Sequence, residues 1–532
     1  MNWPQRCGWR CEPALVICRA RLNLAANRVN ADAAKSPAAF PETLERKIIL
    51  LLCCLAVIHV FIFSAAFPPI NNVDEQAHFD LAVKYSHGHL PRGLEPVSRE
   101  AMQFIVVYGS QEFLWPPETF PDKKFPPPPW TQPVDQIAPI LLAREAQWQN
   151  ANHESSQPPL YYTLAGLWWN AGQRLGFEGG RLLYWLRFLN ILLDAALVWL
   201  GYFTARTVFP ENFFLRLGVP ALLAFLPQTA FYSINNDVFS PLCFGAAFVC
   251  LVKFLDAETP DTRCGMAVGL ALAAAFLAKM SNLPLLAVSA LAVLWKISSL
   301  AKTKKLRVAG PSLASLYFCA TLPITAWAAW CRIHFGDFTG SAAKVQFLGW
   351  TLKPAGEWWH HPIFTSHGAW TFVSGLLATF WQGEFLWHGQ PLASPAVNLI
   401  YTMLSFGFVA VALALLVARH TGVTGAQRQT LWLALMVFIA VVAFLAFLSV
   451  IYDFHDCANP SREHPYFTSG RLMLGALIPF LLLFVFAMDH ALNRFGTPVK
   501  YLALAGMILF MLISETAVDW PVFFSPYNWF HM

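Results

Sequence analysis

The chain has 532 residues, of which 56% are hydrophobic, 15% aromatic and only 13% charged, about half the roughly 25% charged content of a soluble globular domain. That excludes a disordered chain and a simple soluble enzyme, and a net charge of +5, not gathered on one basic face, excludes a nucleic-acid binder. The apolar runs are continuous and about twice the ten-residue alternating segments of a membrane barrel, so the fold class is all-α and polytopic.

In chain order, residues 1–46 read as a cytoplasmic tail. Its Cys7, Cys11 and Cys18 lack partner spacing for a metal, while Cys53, Cys54, Cys243, Cys250, Cys264 and Cys319 lie in apolar runs and read as small core hydrophobes. The first apolar run, 48–66, has no small-residue cleavage site and should stay as a spanning helix. Arg46 and Lys47 before it place the N-terminus inside. Further spans are expected near 182–204, 213–233, 238–255, 264–280, 283–298, 309–331, 395–418, 430–451, 471–489 and 500–516, which makes about 11 transmembrane helices within residues 47–516.

Two more apolar stretches, 158–175 and 370–387, are expected not to cross. If 158–175 crossed alone, the basic cluster Lys296, Lys302, Lys304, Lys305 and Arg307 would face outside, against the positive-inside rule. Read as interfacial helices, they are anchored by Trp168, Trp169, Trp370, Trp381 and Trp387. The other basic turns, Arg206 with Arg216, Lys253 with Arg263, Arg419 with Arg428 and Arg494 with Lys500, then also lie inside. Large extracytoplasmic loops follow at 67–180 and 332–391, with a third between Tyr452 and Gly470 and an extracytoplasmic tail at 517–532. No internal repeat is visible, which counts against a transporter.

The informative polar residues fall on the outer side. After the first span, Asn72 is placed to cap a helix, with Glu75 closing a capping box. Asp74 then sits in the first turn, where the helix dipole favours its ionised form, and His78 follows one turn later on the same face. This is either a well-capped surface helix or a carboxylate held rigidly above the bilayer, suited to act as a general base or, with His78, as half of a metal site.

The same loop ends in His153-Glu-Ser-Ser-Gln157-Pro-Pro-Leu-Tyr161-Tyr162, whose Pro-Pro pair bars helix at Gln157 and starts one after it. Asp237, between two spans, is either plain turn chemistry or a functional charge at the membrane edge. Lys279 is a lone basic residue on the outer side, a snorkelling side chain or a phosphate ligand. Arg462 and Arg471, in and after the third outer loop, could bind lipid headgroups or clamp one phosphate.

Taken together, Val73-Asp74-Glu75-Gln76-Ala77-His78-Phe79, Gln157-Pro158-Pro159-Leu160-Tyr161-Tyr162, Arg181 to Asn190, Pro227 to Asp237 and Ser469-Gly470-Arg471-Leu472 resemble the GT-C superfamily of integral-membrane glycosyltransferases. The likeness is to bacterial relatives of the protein O-mannosyltransferase and aminoarabinose transferase families, and to membrane proteins with an Asp-Glu-x-x-His motif. It spans about residues 48–490. The resemblance implies a GT-C fold with juxtamembrane helices in a long first extracytoplasmic loop. It also implies transfer of a sugar from a polyprenyl-phosphate carrier to an acceptor hydroxyl of a lipid, glycan or protein, at the outer edge of the plasma (inner) membrane.

On that resemblance Asp74 is the base or acceptor-positioning group and Asp237 a second carboxylate, with Glu75 beside Asp74. His78, His153, Gln157, Tyr161, Lys279, Arg462 and Arg471 are expected to bind substrate. Many relatives have Lys or His where this chain has Gln157, so Lys279, Arg462 or Arg471 would supply the cation. No cofactor is required by the pattern; a divalent cation, if used, would be held by Asp74, His78 and Asp237. A Pro-rich insert, Trp115-Pro-Pro and Phe125-Pro-Pro-Pro-Pro-Trp130, is either an acceptor-shaping element or a stiff spacer. The rival functions are a lipid or polysaccharide transporter or flippase, and a glycan polymerase or ligase of similar architecture.

Overall fold

The computed structural model describes residues 42–113, 115–147, 151–418, 422–457 and 459–532; Cys7, Cys11, Cys18, Arg419 and His420 lie outside them. The chain forms two units, residues 1–50 and 51–532. In the first, the described residues open the helix Glu42–Ala66, with Arg46 paired to Glu42 one turn back at 2.8 Å.

The second unit is almost wholly helical. Among the described residues, eight helices are long and apolar enough to cross a membrane: Glu42–Ala66, Gly179–Val208, Met280–Lys302, Leu306–His334, Pro395–Val417, Gly425–Ile451, Gly470–Phe495 and Thr497–His531. This corrects the expected eleven, because three of the apolar runs make shorter helices. The run 213–233 is helical only over Phe213–Ala224 and breaks before Pro227, leaving a short 3-10 turn at Thr229–Tyr232. The runs 238–255 and 264–280 form Ser240–Asp256 and Thr262–Ala278, 17 residues each. At about 1.5 Å per residue such a helix falls short of the roughly 30 Å hydrocarbon core.

The expected interfacial stretches are the helices Pro159–Arg174 and Ser366–Gln382, neither among the eight. Their aromatic residues do not form the expected belt. Trp169, Trp381, Tyr161 and Tyr162 are fully buried, and Trp168 stacks on Trp185 at 4.3 Å; only Trp370 is exposed. The Pro-rich insert is no free spacer either. Tyr527 of the C-terminal tail donates to the Pro126 carbonyl at 2.9 Å and packs edge-on against Trp130.

Helix Thr262–Ala278 lies against Leu306–His334 through Gly265 and Gly269, where a Cβ would strike the backbone carbonyls of Ser312 and Leu316. Small residues four apart let two helix backbones approach. The most apolar stretch of the span Gly470–Phe495 is 94% buried, with Pro395–Val417, Gly425–Ile451 and Phe213–Ala224 packed against it. Arg471 stands at its first turn. A two-residue ladder, Thr351–Leu352 against Tyr452–Asp453, ties the second outer loop to the third.

Candidate active site

Helix Glu75–Ser86 begins one residue after Asp74, which is its N-cap in the left-handed region at φ 61° and makes no side-chain cap. The expected capping box is therefore absent. Asn72 turns the other way, donating to the Thr229 carbonyl at 3.2 Å and to Ser233 Oγ at 3.1 Å. Glu75 reaches back to Asn71 N–H at 3.0 Å with one oxygen. Its other oxygen accepts from Arg187 at 2.7 Å and from Ile234 N–H at 2.9 Å. Glu75 is wholly buried and serves as the pin between the first loop and the turn that carries Asp237.

That turn is closed by its own amides. Asn190 donates to the Phe231 and Ser233 carbonyls, Asn235 donates to the Ala230 carbonyl at 2.8 Å, and Asp237 N–H donates to Asn235 Oδ1 at 2.8 Å. Most buried polar groups of the turn are thereby satisfied internally, Asn190 Oδ1 and Thr229 Oγ1 excepted, and Asp237 is fixed at zero exposure.

Three elements far apart in the chain meet here. Arg471 Nη2 donates to Asp74 Oδ2 at 2.7 Å and Nη1 to Asp237 Oδ2 at 3.2 Å, while Nε lies 3.6 Å from Glu384 Oε2. Lys279 pairs with the other oxygen of Asp237 and lies 3.3 Å from Asn236 Oδ1. His153 Nε2 is 3.2 Å from Asp74 Oδ1 and 3.5 Å from Glu154 Oε1. Lys344, on the short helix Ser341–Phe347, pairs with Glu154, and Phe347 of the same helix stacks on His153 at 5.9 Å. Gln157 donates to Glu154 at 2.5 Å and accepts from Asn236 at 3.1 Å, so it bridges the first loop and the Asp237 turn.

Exposure sorts these groups. The side chains of Asp74, His153, Lys344 and Arg471 retain 22%, 20%, 28% and 15% of their surface, whereas Asp237 and Lys279 keep 0% and 6%. The first four form the rim; the last two are an ion pair behind it. The expected free phosphate cation at Lys279 is thus already taken by Asp237. His78 is buried and bonded to Tyr162 at 2.6 Å. Tyr161 is buried edge-on against Tyr162. Arg462 is brought to Asp453 at 3.1 Å and to His455 at 2.7 Å, in a different, exposed part of the loop between Tyr452 and Gly470.

Electrostatics follow the same division. Burial pushes the Asp74 carboxyl up, but the His153 hydrogen bond and the charges of Arg471 and Lys344 outweigh it and hold it well below the usual carboxylate range. Burial is likewise outweighed at Asp237 by Lys279 and Arg471, and at Glu154 by Lys344 and His153, so both are held low. Glu384 goes the other way, because burial exceeds the pull of Arg471. Burial pushes His78 down to about 4, which leaves a neutral imidazole at neutral pH.

The expected metal set of Asp74, His78 and Asp237 does not assemble. Among the described residues, the group close enough to share an ion is Asp74, His153 and Glu154, with ligand atoms within 4.8 Å of one another. Arg471 and Lys344 already neutralise those two carboxylates, so a divalent ion there would have to displace them. Reading the sequence missed Glu154, Lys344, Glu384 and Arg187. Two signals were available: Lys344 is another basic residue in the 332–391 loop, and Arg187 interrupts an apolar run.

No curated protein matches the chain in sequence. Among solved structures it is similar to the Archaeoglobus fulgidus oligosaccharyltransferase in its apo form, at 11% identity over 91% of this chain and 56% of that one, TM-score 0.48. It is also similar to the oligosaccharyltransferase AglB of that organism in complex with an inhibitory peptide and a dolichol-phosphate, at 12% identity over 91% and 56% of the two chains, TM-score 0.42. The chain thus spans about half the length of these structures. Residues 56–454 match the model of a family described as predicted membrane protein (DUF2142), and the chain belongs to that family.

Proposed function

We propose that the protein is a membrane glycosyltransferase of GT-C type that moves a sugar from a polyprenyl-phosphate carrier to an acceptor hydroxyl on the outer face. The observation that carries this reading is the single guanidinium of Arg471 held between Asp74 and Asp237 at the rim of a polar cavity that Asn72, Gln228, Thr229 and Glu384 also line. A phosphate that enters takes Arg471 and Lys344 as its cations, since charge-assisted contacts to phosphate are the strong ones.

Donor binding then changes the base. Drawing Arg471 and Lys344 toward phosphate removes two of the charges that hold Asp74 low, so its proton affinity rises when the donor is in place. The acceptor hydroxyl gives its proton to Asp74, and its oxygen attacks the anomeric carbon. The bond from that carbon to the phosphate oxygen breaks, and its electron pair leaves on the phosphate, where Arg471 and Lys344 stabilise the charge. Asp237 and Lys279 position Arg471 from behind without touching substrate. An apolar groove of about 310 Å³ between helices Ser366–Gln382, Pro395–Val417 and Gly425–Ile451, lined by Leu376, Phe406, Phe438 and Ile439, suits the prenyl tail. The first of these helices leads directly into Glu384 beside Arg471.

Mass spectrometry of lipid copurified with the protein tests the donor, and Asp74→Asn tests the base. A polyprenyl-phosphate sugar should copurify, and the variant should fold and lose about 10²–10⁴-fold in transfer rate. Full-rate transfer by folded Asp74→Asn would remove the role given to Asp74.

A further inference from the structure

We infer a second site, adjoining the Arg471 cavity and sharing Thr229 with its lining: a hard divalent cation, calcium or magnesium, bound by Glu515, Asp519 and Thr229. Glu515 and Asp519 lie one turn apart in the last candidate span and, with Pro227, Thr229, Gln382 and Gly383, line one small polar cavity. Glu515 is 3% exposed; it accepts from Tyr232 OH and lies 2.7 Å from His59 Nε2. Asp519, at 5% exposure, has no hydrogen bond or ion pair among the described residues. Four other buried carboxylates are met by a base: Glu75 by Arg187, Asp80 by Lys84, Asp237 by Lys279 and Asp489 by Lys500; Asp194 and Glu112 are buried without one, but neither has a second carboxylate one helical turn away in the chain. Asp519, buried with a second carboxylate a turn away and no base of its own, is costly, and a cation between the two carboxylates removes that penalty.

A second observation points into the same cavity. The Thr229 hydroxyl is buried, lines the cavity and has no hydrogen-bond partner. Gly383, at φ 83°, leaves it that room, since a Cβ there would collide with Thr229 Oγ1 and Gln228 Oε1. The amide nitrogen of Gln382 is used by Asn398 at 2.7 Å, which leaves its carbonyl oxygen to complete the set. Two carboxylates, a hydroxyl and an amide carbonyl, with no sulfur and no directly offered nitrogen, are the donors of calcium and magnesium rather than zinc. The site has no lysine or arginine competitor, in contrast to Asp74 and Glu154. It connects to the active-site turn through the Thr229 carbonyl, which accepts from Asn72, so an ion here would brace that turn.

The test is thermal unfolding of the purified full chain in lipid nanodiscs, titrated with calcium chloride or magnesium chloride against choline chloride at matched ionic strength. The melting temperature should rise with one divalent ion in the wild type and in Asp74→Asn, and the rise should vanish in Asp519→Asn and shrink in Thr229→Val. Equilibrium dialysis with labelled calcium should find one ion per chain, lost in Asp519→Asn. No ion-dependent rise in the wild type, or a full rise in Asp519→Asn, overturns the site, as does a rise that Asp74→Asn abolishes. If Asp519→Asn fails to fold, the Thr229→Val titration decides, and an undiminished rise there overturns it.

Discussion

Arg471 holds Asp74 at 2.7 Å although 397 residues separate them in the chain. The arginine stands on the most buried of the eight candidate spans and the aspartate at the start of the short helix Glu75–Ser86, so the contact joins the core to the loop between the first two spans. Arg471→Lys keeps the charge but offers no planar fork to reach Asp74 and Asp237 together. Transfer should fall by about 10²-fold or more while the folded fraction is nearly unchanged, measured as initial rate with a polyprenyl-linked sugar alongside a size-exclusion profile.

The Glu75–Arg187 pair predicts a loss of stability rather than of chemistry. Their side chains are 0% and 2% exposed, and removing one partner of such a pair strands a buried charge at a cost of about 3–5 kcal/mol. Arg187→Met should therefore lower the melting temperature sharply. The double variant Glu75→Gln, Arg187→Met should recover part of it, whereas a contribution confined to catalysis would leave both melting curves in place.

His78 gives a pH dependence with a defined sign. Its folded value of about 4 lies below an unperturbed value of about 6.5. Between those values the unfolded chain binds the proton and the folded one does not. The neutral-histidine contribution is therefore full above about pH 6.5 and is lost as pH falls toward 4, amounting to about 3 kcal/mol. The low carboxylates Asp74, Glu154 and Asp237 act in the same direction at still lower pH. Denaturant midpoints measured from pH 7 to 4 should fall, and His78→Gln should flatten the upper part of that fall.

Arg462 provides the contrasting case. Its guanidinium is exposed and pairs with Asp453 and His455, so Arg462→Ala should leave transfer within about twofold and the melting curve nearly in place, as for other surface ion pairs. A loss comparable to that of Arg471→Lys would place Arg462 at the donor phosphate after all.

Long apolar runs were legible because a continuous hydrophobic stretch has one structural use in lipid, and Pro158-Pro159 announced its helix start correctly. Asp74, His153, Asp237 and Arg471 were also legible as polar groups beside the apolar runs, since charge is scarce in this chain. What could not be read was who partners whom. Lys279 looked free because nothing in its neighbourhood in sequence shows that Asp237 folds against it. Glu75 looked like a helix cap because the spacing to Asn72 fits one, but Arg187 and the Ile234 amide claimed it. The tryptophans of Pro159–Arg174 looked like an interfacial belt because their amphipathic character is the same whether they meet lipid or one another. Short helices such as Phe213–Ala224 were overcounted as spans, because hydropathy does not register where tertiary hydrogen bonds will pull a chain out of helix.

The left-handed backbone at Asp74 bears on how this protein should be varied. Asparagine and aspartate both tolerate that conformation, whereas alanine or leucine there would move the start of the helix itself. Position 74 thus has one replacement that alters charge while preserving shape, and a family member carrying asparagine there would keep the scaffold and the clustered cations without the carboxylate: a binding protein built on an enzyme's frame.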